Sequence, residues 1–337
     1  MLPKVSVIVP VYNVAPYILK CLESLEAQTY EFYEVILIND GSTDNSAVLA
    51  EQFIRGKGQF RLVHQENAGV SAARNRGIAE SSGEWLTFVD SDDYVEADFL
   101  SSMINAIQTR PADLCLAGYR KYYEETGDIR DTVIRNFSYG TLRETMSDLS
   151  YIHIRACLYK AAVIKENHLQ FDIRIPFGED RCFVFDYLSH THRCLVIPDT
   201  AYIYRKRAGS ATARSVRPEK KKNLYEHVRN FWYAFEDRDF LRAEYARNHH
   251  LAHNIMDSFL TEVINAVIAR KDDDYQRIAT DDFARVLLDN YHHPQASRKQ
   301  KMLIALLRER HLTIAKIVMR LYYSDWLFKL SRPFLGA

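Results

Sequence analysis

The chain has 337 residues, 47% hydrophobic and 26% charged, which is ordinary for a globular protein long enough to bury one large core or two. Its 44 Lys and Arg offset 44 Asp and Glu, so no polyelectrolyte surface for nucleic acid is expected. Five scattered cysteines with no CxxC pair, a first strand that begins right after Met1-Leu2-Pro3-Lys4, and no apolar stretch of membrane-spanning length exclude a disulfide scaffold and a zinc ribbon. They also argue against a signal peptide and a transmembrane helix, and the expectation is a cytoplasmic protein.

Val5 to Val9 is a β-branched run closed by Pro10, which predicts a buried first strand ending there. Ile18, Cys21, Leu22 and Leu25 recur at helical spacing. Val35 to Ile38 is a second strand. It leads into Asn39-Asp40-Gly41-Ser42-Thr43-Asp44, a turn and N-cap cluster ahead of a helix carrying Val48, Leu49 and Phe53. Phe60 to Val63, Val70 to Ala79 and Trp85 to Val89 follow as strand, helix and strand. This alternation predicts an α/β fold, a mainly parallel sheet flanked by helices. Ala97 to Ile107 then reads as a helix, Asp113 to Ala117 as a strand and Arg120 to Ser138 as a hairpin.

In such sheets ligands bind beyond the carboxyl ends of the strands. Polar clusters follow all four of the first strands: Tyr12-Asn13, Asn39-Asp40-Gly41, Gln65 to Gly69, and Asp90-Ser91-Asp92-Asp93. The last puts three acids in four residues behind an apolar run. It is either a strand-end turn, for which Asp and Ser are suited, or a site for a hard divalent cation that relieves the repulsion. Tyr12, the hydrogen-bonding Asp40 and Asn67, the cations Arg74 and Arg76, and Asp92 with Asp93 form a set suited to a nucleoside diphosphate. The chain has no GxGxxG after the first strand and no P-loop. His190 with His192, His249-His250 and His292-His293 lack a third ligand at metal spacing.

Further on, Glu179-Asp180 follow Gly178 and precede a helix with Phe183, Val184 and Leu188 on its apolar face; alone, the two acids complement the helix dipole. Tyr202 to Ser210, with Arg205, Lys206 and Arg207, reads alone as a basic edge strand. A charged, Pro-containing linker from Ser215 to Lys222 divides the chain into residues 1–215 and a helical region, 216–337. There, Leu224, Val228, Phe231, Trp232 and Phe235, and then Leu260, Val263, Ile264, Val267 and Ile268, recur at spacings of about three and four. From Arg298 to Arg332 cations outnumber the acids Glu309 and Asp325, and Leu321, Tyr322, Tyr323, Trp326, Leu327 and Phe328 are interleaved. This pattern suits an anionic membrane surface, or a helix packed on the protein with a solvated basic face.

Taken in order, Pro10-Val11-Tyr12-Asn13, Asn39 to Asp44, Asn67-Ala68-Gly69-Val70-Ser71-Ala72-Ala73-Arg74-Asn75-Arg76-Gly77 and Asp90-Ser91-Asp92-Asp93 resemble the family 2 glycosyltransferases of the GT-A fold. The resemblance is strong from residue 4 to about 100, fair to about 212, and fades beyond. It implies that Val11 and Tyr12 flank a nucleobase, that Asp40 meets its imide edge, as for uridine, and that Arg74 lies near base and diphosphate, although periodicity alone puts Arg74 on the helix surface. Asp90-Ser91-Asp92 matches the family's DxD motif: Asp92 or Asp93 would reach Mn²⁺ or Mg²⁺, with Asp90 and Ser91 on ribose and sugar. Asn39 stands where many relatives carry an acid. Asp180 matches the general base of the ED motif, with Glu179 positioning it or the acceptor. Arg207 and Ser210, then Arg205, match the run that closes over the diphosphate. The implied reaction is a metal-dependent, inverting transfer from a nucleotide sugar to a glycan or lipid-linked acceptor in polysaccharide, capsule or lipopolysaccharide synthesis. A membrane-surface role for the C-terminal helices, at the inner face, fits relatives that work on lipid carriers. The rival readings are a non-catalytic sugar-nucleotide-binding subunit and, further off, a nucleotidyltransferase.

Overall fold

The β-branched run at the start of the chain forms β1 (Val5–Val11), every residue of which is buried. A computed structural model describes residues 2–132, 139–140, 154–175, 179–191 and 193–207, and in the C-terminal third 260, 263–264, 272–280, 284–285, 288–289, 298–316 and 319. Phe177, Gly178, Ser210, the 215–222 linker, the 224–235 helical pattern, Val267, Ile268, the 321–328 aromatic stretch, Arg320, Lys329, Arg332 and all the paired histidines except His190 lie outside the described residues.

β1 sits between β2 (Tyr33–Asp40) and β4 (Trp85–Phe88), parallel to both, and β2 is parallel to β3 (Phe60–Gln65). Near-continuous burial is what a parallel strand covered on both faces requires. The strand runs through Pro10, where the sequence predicts a stop. Ile8 accepts from the Val89 N–H on the β4 side. Pro10 faces that same side two residues on, past the end of β4, so its missing N–H removes no ladder bond. The sheet continues through β9 (Cys157–Lys160), β6 (Leu114–Tyr123), β10 (Cys194–Lys206) and β5 (Tyr94–Val95), in the order β3-β2-β1-β4-β9-β6-β10-β5. β7 (Ile129–Thr132) pairs with β6 antiparallel, and β8 (Tyr139–Gly140) pairs with β10. The run expected as a basic edge strand is therefore internal, between β6 and β5.

Helices α1 (Ile18–Glu26), α2 (Ser46–Ile54), α3 (Val70–Glu80) and α4 (Phe99–Thr109) follow the first strands, and α5 (Ala161–Glu166) and α6 (Glu179–Ser189) come later. α1 buries Ile18, Cys21, Leu22 and Leu25 as its spacing predicts. α2 departs from expectation: Ser46 and Ala50 are buried, and Val48 is exposed. Two features of α3 tie its sequence to the site. Gly77 rests on β1 so closely that a Cβ there would collide with the Ile8 side chain. Asn75 donates to the Phe171 carbonyl at 2.8 Å and accepts its N–H at 2.7 Å. Phe171 stacks on Phe183 of α6 at 4.1 Å, and both meet Phe88 edge-on at 5.3 and 5.8 Å. Each such ring pair is worth about 0.5–1.5 kcal/mol beyond its buried area. This cluster fixes the start of α6 beside the end of β4.

The chain divides into two compact units, Met1–Ala208 and Gly209–Ala337. The second contains α7 (Asp272–Thr280) and α8 (Arg298–Arg308), which bury Tyr275, Ile278, Leu303, Ile304 and Leu307. Leu260, Val263 and Ile264 are buried as their spacing predicts. All five cysteines are buried thiols that form no disulfide.

Candidate active site

The carboxyl ends of β1 to β4 share one edge of the sheet, and the polar clusters meet there. Asn13, in a left-handed turn with φ 51°, accepts from the Thr43 N–H at 2.8 Å and ties the first loop to the second. Tyr12 beside it is 48% exposed and free to cover a ring. Val11, expected next to the base, has no exposed surface; its side chain belongs to the core, and only its carbonyl faces the loop, where Ser42 donates to it. Asp40 is 3% exposed. Its carboxylate accepts from the Gln65 side chain at 2.7 Å and from the Ala68 and Gly69 N–H groups at 2.9 Å, while Asn67 donates to its carbonyl. Asp40 thus holds the Asn67-Ala68-Gly69 loop at the start of α3. Gly41, at φ 66°, lies where a Cβ would come within 2.9 Å of the Asn67 nitrogen.

Arg74 is buried, contrary to its periodicity reading, on the same helix face as Ser71, Gly77 and Ile78. Its guanidinium donates to Asp90 at 3.0 Å and to Glu179 at 2.9 Å, so one side chain joins the acidic turn after β4 to the acid pair that opens α6. Burial opposes its charge, but Asp90, Glu179 and Asp180 outweigh that and hold its pKa above the usual arginine value. Arg76, counted with it from sequence, points elsewhere: it is exposed and pairs with Glu80 at 2.8 Å.

The three acids of the turn occupy three different environments. Asp90 meets Arg74 and, at 3.8 Å, Arg155. Asp92 receives the Arg207 Nε and Nη2 on one oxygen at 2.9 and 2.8 Å. Asp93 is 1% exposed, with one oxygen taken by the Tyr202 hydroxyl at 2.7 Å and the other by the Arg205 N–H at 2.8 Å. Asp93, expected as an alternative metal ligand, is instead the anchor of the turn on β10, because both its oxygens are spent on protein donors. Burial, with Asp92 and Asp90 adjacent, pushes its carboxyl well above the usual carboxylate range. Burial and Asp90 also raise Asp92, against the pull of Arg207. Ser91 is buried under the turn.

Glu179 and Asp180 stand in the first turn of α6. Burial and the neighbouring Asp180 push Glu179 up, although Arg74 is bonded to it. Arg205 lies against the rings of Tyr17, Tyr94 and Tyr122 at 5.1 to 5.6 Å and donates to the Asp92 carbonyl, so it shapes the turn from below. Arg155 escaped the sequence reading. It is nearly buried, stacks on Tyr204 at 4.0 Å and precedes Ala156, which is held at φ 56°. No spacing in the sequence points to it; only the pairing of β9 beside β4 brings it to Asp90.

Asp90 and Asp92, each 22% exposed, supply hard oxygen donors whose mutual repulsion a divalent cation relieves. Among the described residues no group of three or more acid, His or Cys ligands is gathered. Mg²⁺ needs none where one or two carboxylates are completed by substrate phosphates and water, so the donor set fits such an ion.

A GT-A sheet with its polar clusters gathered at one edge is what these parts define, and the comparisons agree on fold and family. The glycosyl transferase family 2 model matches residues 6–167. The chain is 32% identical over 234 residues to EpsJ of Bacillus subtilis (strain 168), itself described as an uncharacterized glycosyltransferase, covering 66% of this chain and 67% of that protein. A crystal structure of residues 1–349 of S. aureus TarS with UDP-GlcNAc superposes with a TM-score of 0.75 at 23% identity, covering 96% of this chain and 92% of that one. A Pyrobaculum calidifontis mannosyltransferase, PcManGT, in complex with GDP-Man and Mn²⁺, superposes at 0.54 with 18% identity, covering 96% and 88%. The chain belongs to glycosyltransferase family 2.

Proposed function

We propose that the chain is an inverting glycosyltransferase that moves a sugar, a hexose in our reading, from a UDP-linked donor to a hydroxyl of a polysaccharide or lipid-linked acceptor, in a divalent-metal-dependent reaction. The observation that carries this is the Arg74 bridge. It fixes the Asp90 end of the acidic turn, where a diphosphate would leave, relative to the acid pair at Glu179 and Asp180, where a hydroxyl would lose its proton.

Tyr12 covers the base, and the loop held by Asp40 closes the base pocket with Asn67. Asp92, with Asp90, would hold Mn²⁺ or Mg²⁺, which supplies Lewis-acid charge for the leaving diphosphate. Ser91 and Asp90 position the ribose and sugar. Arg207, paired here with Asp92, is the cation placed to follow the diphosphate charge as it grows, with Ser210 beyond it in the chain. The Asp180 carboxylate takes the acceptor proton while the acceptor oxygen bonds to the anomeric carbon and the carbon–phosphate oxygen bond breaks on the opposite face. Glu179, locked to Arg74, keeps Asp180 in place. One displacement inverts the centre and needs no protein nucleophile. UDP-GlcNAc in the TarS structure and the names of poly(ribitol-phosphate) transferases among the relatives support a uridine donor and an envelope-polymer acceptor.

For the region beyond residue 215 we take the membrane reading. Arg298, Lys301, Arg308 and Arg310 are exposed, and no helix among the described residues is long and apolar enough to cross a membrane. Salt-sensitive binding to anionic vesicles, weakened by Arg298→Glu with Lys301→Glu, is expected. The catalytic reading is tested by incubating the protein with a panel of UDP-sugars and Mn²⁺. Metal-dependent release of UDP from one donor is expected; no turnover with any donor, together with unchanged nucleotide binding in Asp92→Ala, would refute it.

A further inference from the structure

We infer that Lys121 and Lys206, together with Arg155, form a phosphate-binding subsite on one face of the β6–β10 pair, bordering the acidic turn through Arg155. Its place in the reaction rests on the transferase reading above; its existence rests on the geometry.

β6 and β10 are parallel neighbours, with Tyr204 opposite Lys121 and Lys206 opposite Tyr123. Side chains alternate along a strand, so Tyr119, Lys121 and Tyr123 share a face with Tyr202, Tyr204 and Lys206. On that face the Arg155 guanidinium lies 4.0 Å from the centre of the Tyr204 ring, and the Lys206 ammonium lies 4.9 Å from the same ring. Lys121 lies 5.7 Å from the ring of Tyr119, which meets Tyr204 edge-on at 6.4 Å. Two tyrosine rings therefore gather three cations.

Asp90 is shared by Arg74 and Arg155, and Asp128 pairs at 4.0 Å with Arg130, which lies opposite Lys121 on β7. Both lysines are half-buried, and among the described residues neither ammonium has an ion-pair or hydrogen-bond partner. The opposite face of the same strands is neutralised, with Arg205 on Glu124 and Arg120 on Glu96 and Asp131. Burial, then Lys121 and Arg155, push Lys206 down to about 8, and Asp93 pulls the other way. Among the described residues the Arg155 Nε is a buried donor with no acceptor. Cations drawn together with a donor left over are stabilised by an incoming anion. Two ammonium groups and a guanidinium match a phosphate in charge and donor number.

Two sources of phosphate fit this location. Arg205 and Arg207, on either side of Lys206, bond Asp93 and Asp92, so the subsite borders the acidic turn. A phosphate there comes from the acceptor or from the donor diphosphate. The two share their chemistry and are told apart by experiment.

The lysines of the full-length protein are labelled by reductive ¹³C-methylation, and the Lys206 signal is identified by its loss in Lys206→Arg. Its midpoint is expected near 8, moving up on addition of millimolar inorganic phosphate but not of sodium chloride at equal ionic strength. If the occupant is an acceptor phosphate, the response persists under saturating UDP. If it is the donor diphosphate, UDP alone produces the shift and added phosphate then does nothing. Either result supports the subsite. No response to phosphate or UDP, or an equal response to chloride, overturns it. Lys121→Gln is expected to reduce the phosphate response of Lys206 at least several-fold, and no reduction separates Lys121 from the site. The readout needs no turnover. A responsive Lys206 in a protein that turns over no donor overturns the transferase reading alone, and a silent Lys206 in an active enzyme overturns the subsite alone.

Discussion

The turns that close β2 and β4 bring the same residue type to the same edge of the sheet and use it in opposite ways. Asp40 is satisfied by uncharged donors: one side-chain amide and two backbone N–H groups. The Asp90–Asp93 turn is surrounded by four arginines, Arg74, Arg155, Arg205 and Arg207. Neutral hydrogen bonds fix a carboxylate for as long as the loop is folded. A carboxylate paired with arginine at partly open positions has partners that can be shared with an incoming anion or exchanged for a cation. The first arrangement builds a wall, and the second builds a place where charge can change during a reaction.

Removing the charge that is meant to change has the largest effect. Asp92→Ala and Asp180→Asn are each expected to cut kcat by about 10²–10⁴, the range for a lost electrostatic or proton-transfer group, with the melting temperature nearly unchanged. A large stability loss in Asp92→Ala without loss of rate would move that turn into the same class as Asp40.

Breaking the bridge tests whether the two acid groups are one construction. Arg74→Ala leaves Asp90 and Glu179 without their shared, buried cation. It should cost about 3–5 kcal/mol in urea unfolding, because an unpaired buried charge is worse than no pair at all. Arg74→Lys, which keeps the charge but not the fork, should recover part of it.

At the Asp40 turn the expected effect is smaller and structural. Asp40→Asn turns one of the two acceptor oxygens into a donor, facing either the Gly69 N–H or the Ala68 N–H and the Gln65 amide, and should cost about 1–3 kcal/mol. A more than tenfold loss of UDP affinity at full stability would instead make Asp40 chiefly a base contact.

Glu34, away from the site, is the control. Burial alone would raise its pKa, but hydrogen bonds from Ser6 and Ser82 and the nearby Lys4 bring it down to about 2. A carboxyl lowered in the folded state contributes stability that is complete above its unfolded value of 4.5 and is lost as pH falls from there through 2. Glu34→Gln should flatten that acid limb of the unfolding curve and leave transfer at neutral pH unaffected.

Much of this was legible before any coordinates. The alternation of apolar runs and turn clusters gives β1 to β4, α1 and α3, and the shared edge to which the polar residues come, because those signals are local and repeat at the period of their element. Pro10 inside β1, exposed Val48 and the burial of Arg74 escape local periodicity for one reason: each depends on what lies across from it. Pro10 is tolerated because β4 ends early, Val48 has nothing packed over it, and Arg74 is drawn inward by two acids that lie 16 and 105 residues away.

By itself the sequence determined the α/β class, the family and the identities of the acids that gather at the site, since short-range pattern and ordered motifs carry those. Only the tertiary structure decided how the acids divide their work. It turned Asp93 into an anchor, left Asp92 and Asp90 partly open, and brought Arg155 to the turn. The reason is physical: a carboxylate's role is set by the donors around it, and those donors arrive from α3, from the residues just before β9, and from β10 and the residue that follows it, whose meeting no local stretch of chain encodes.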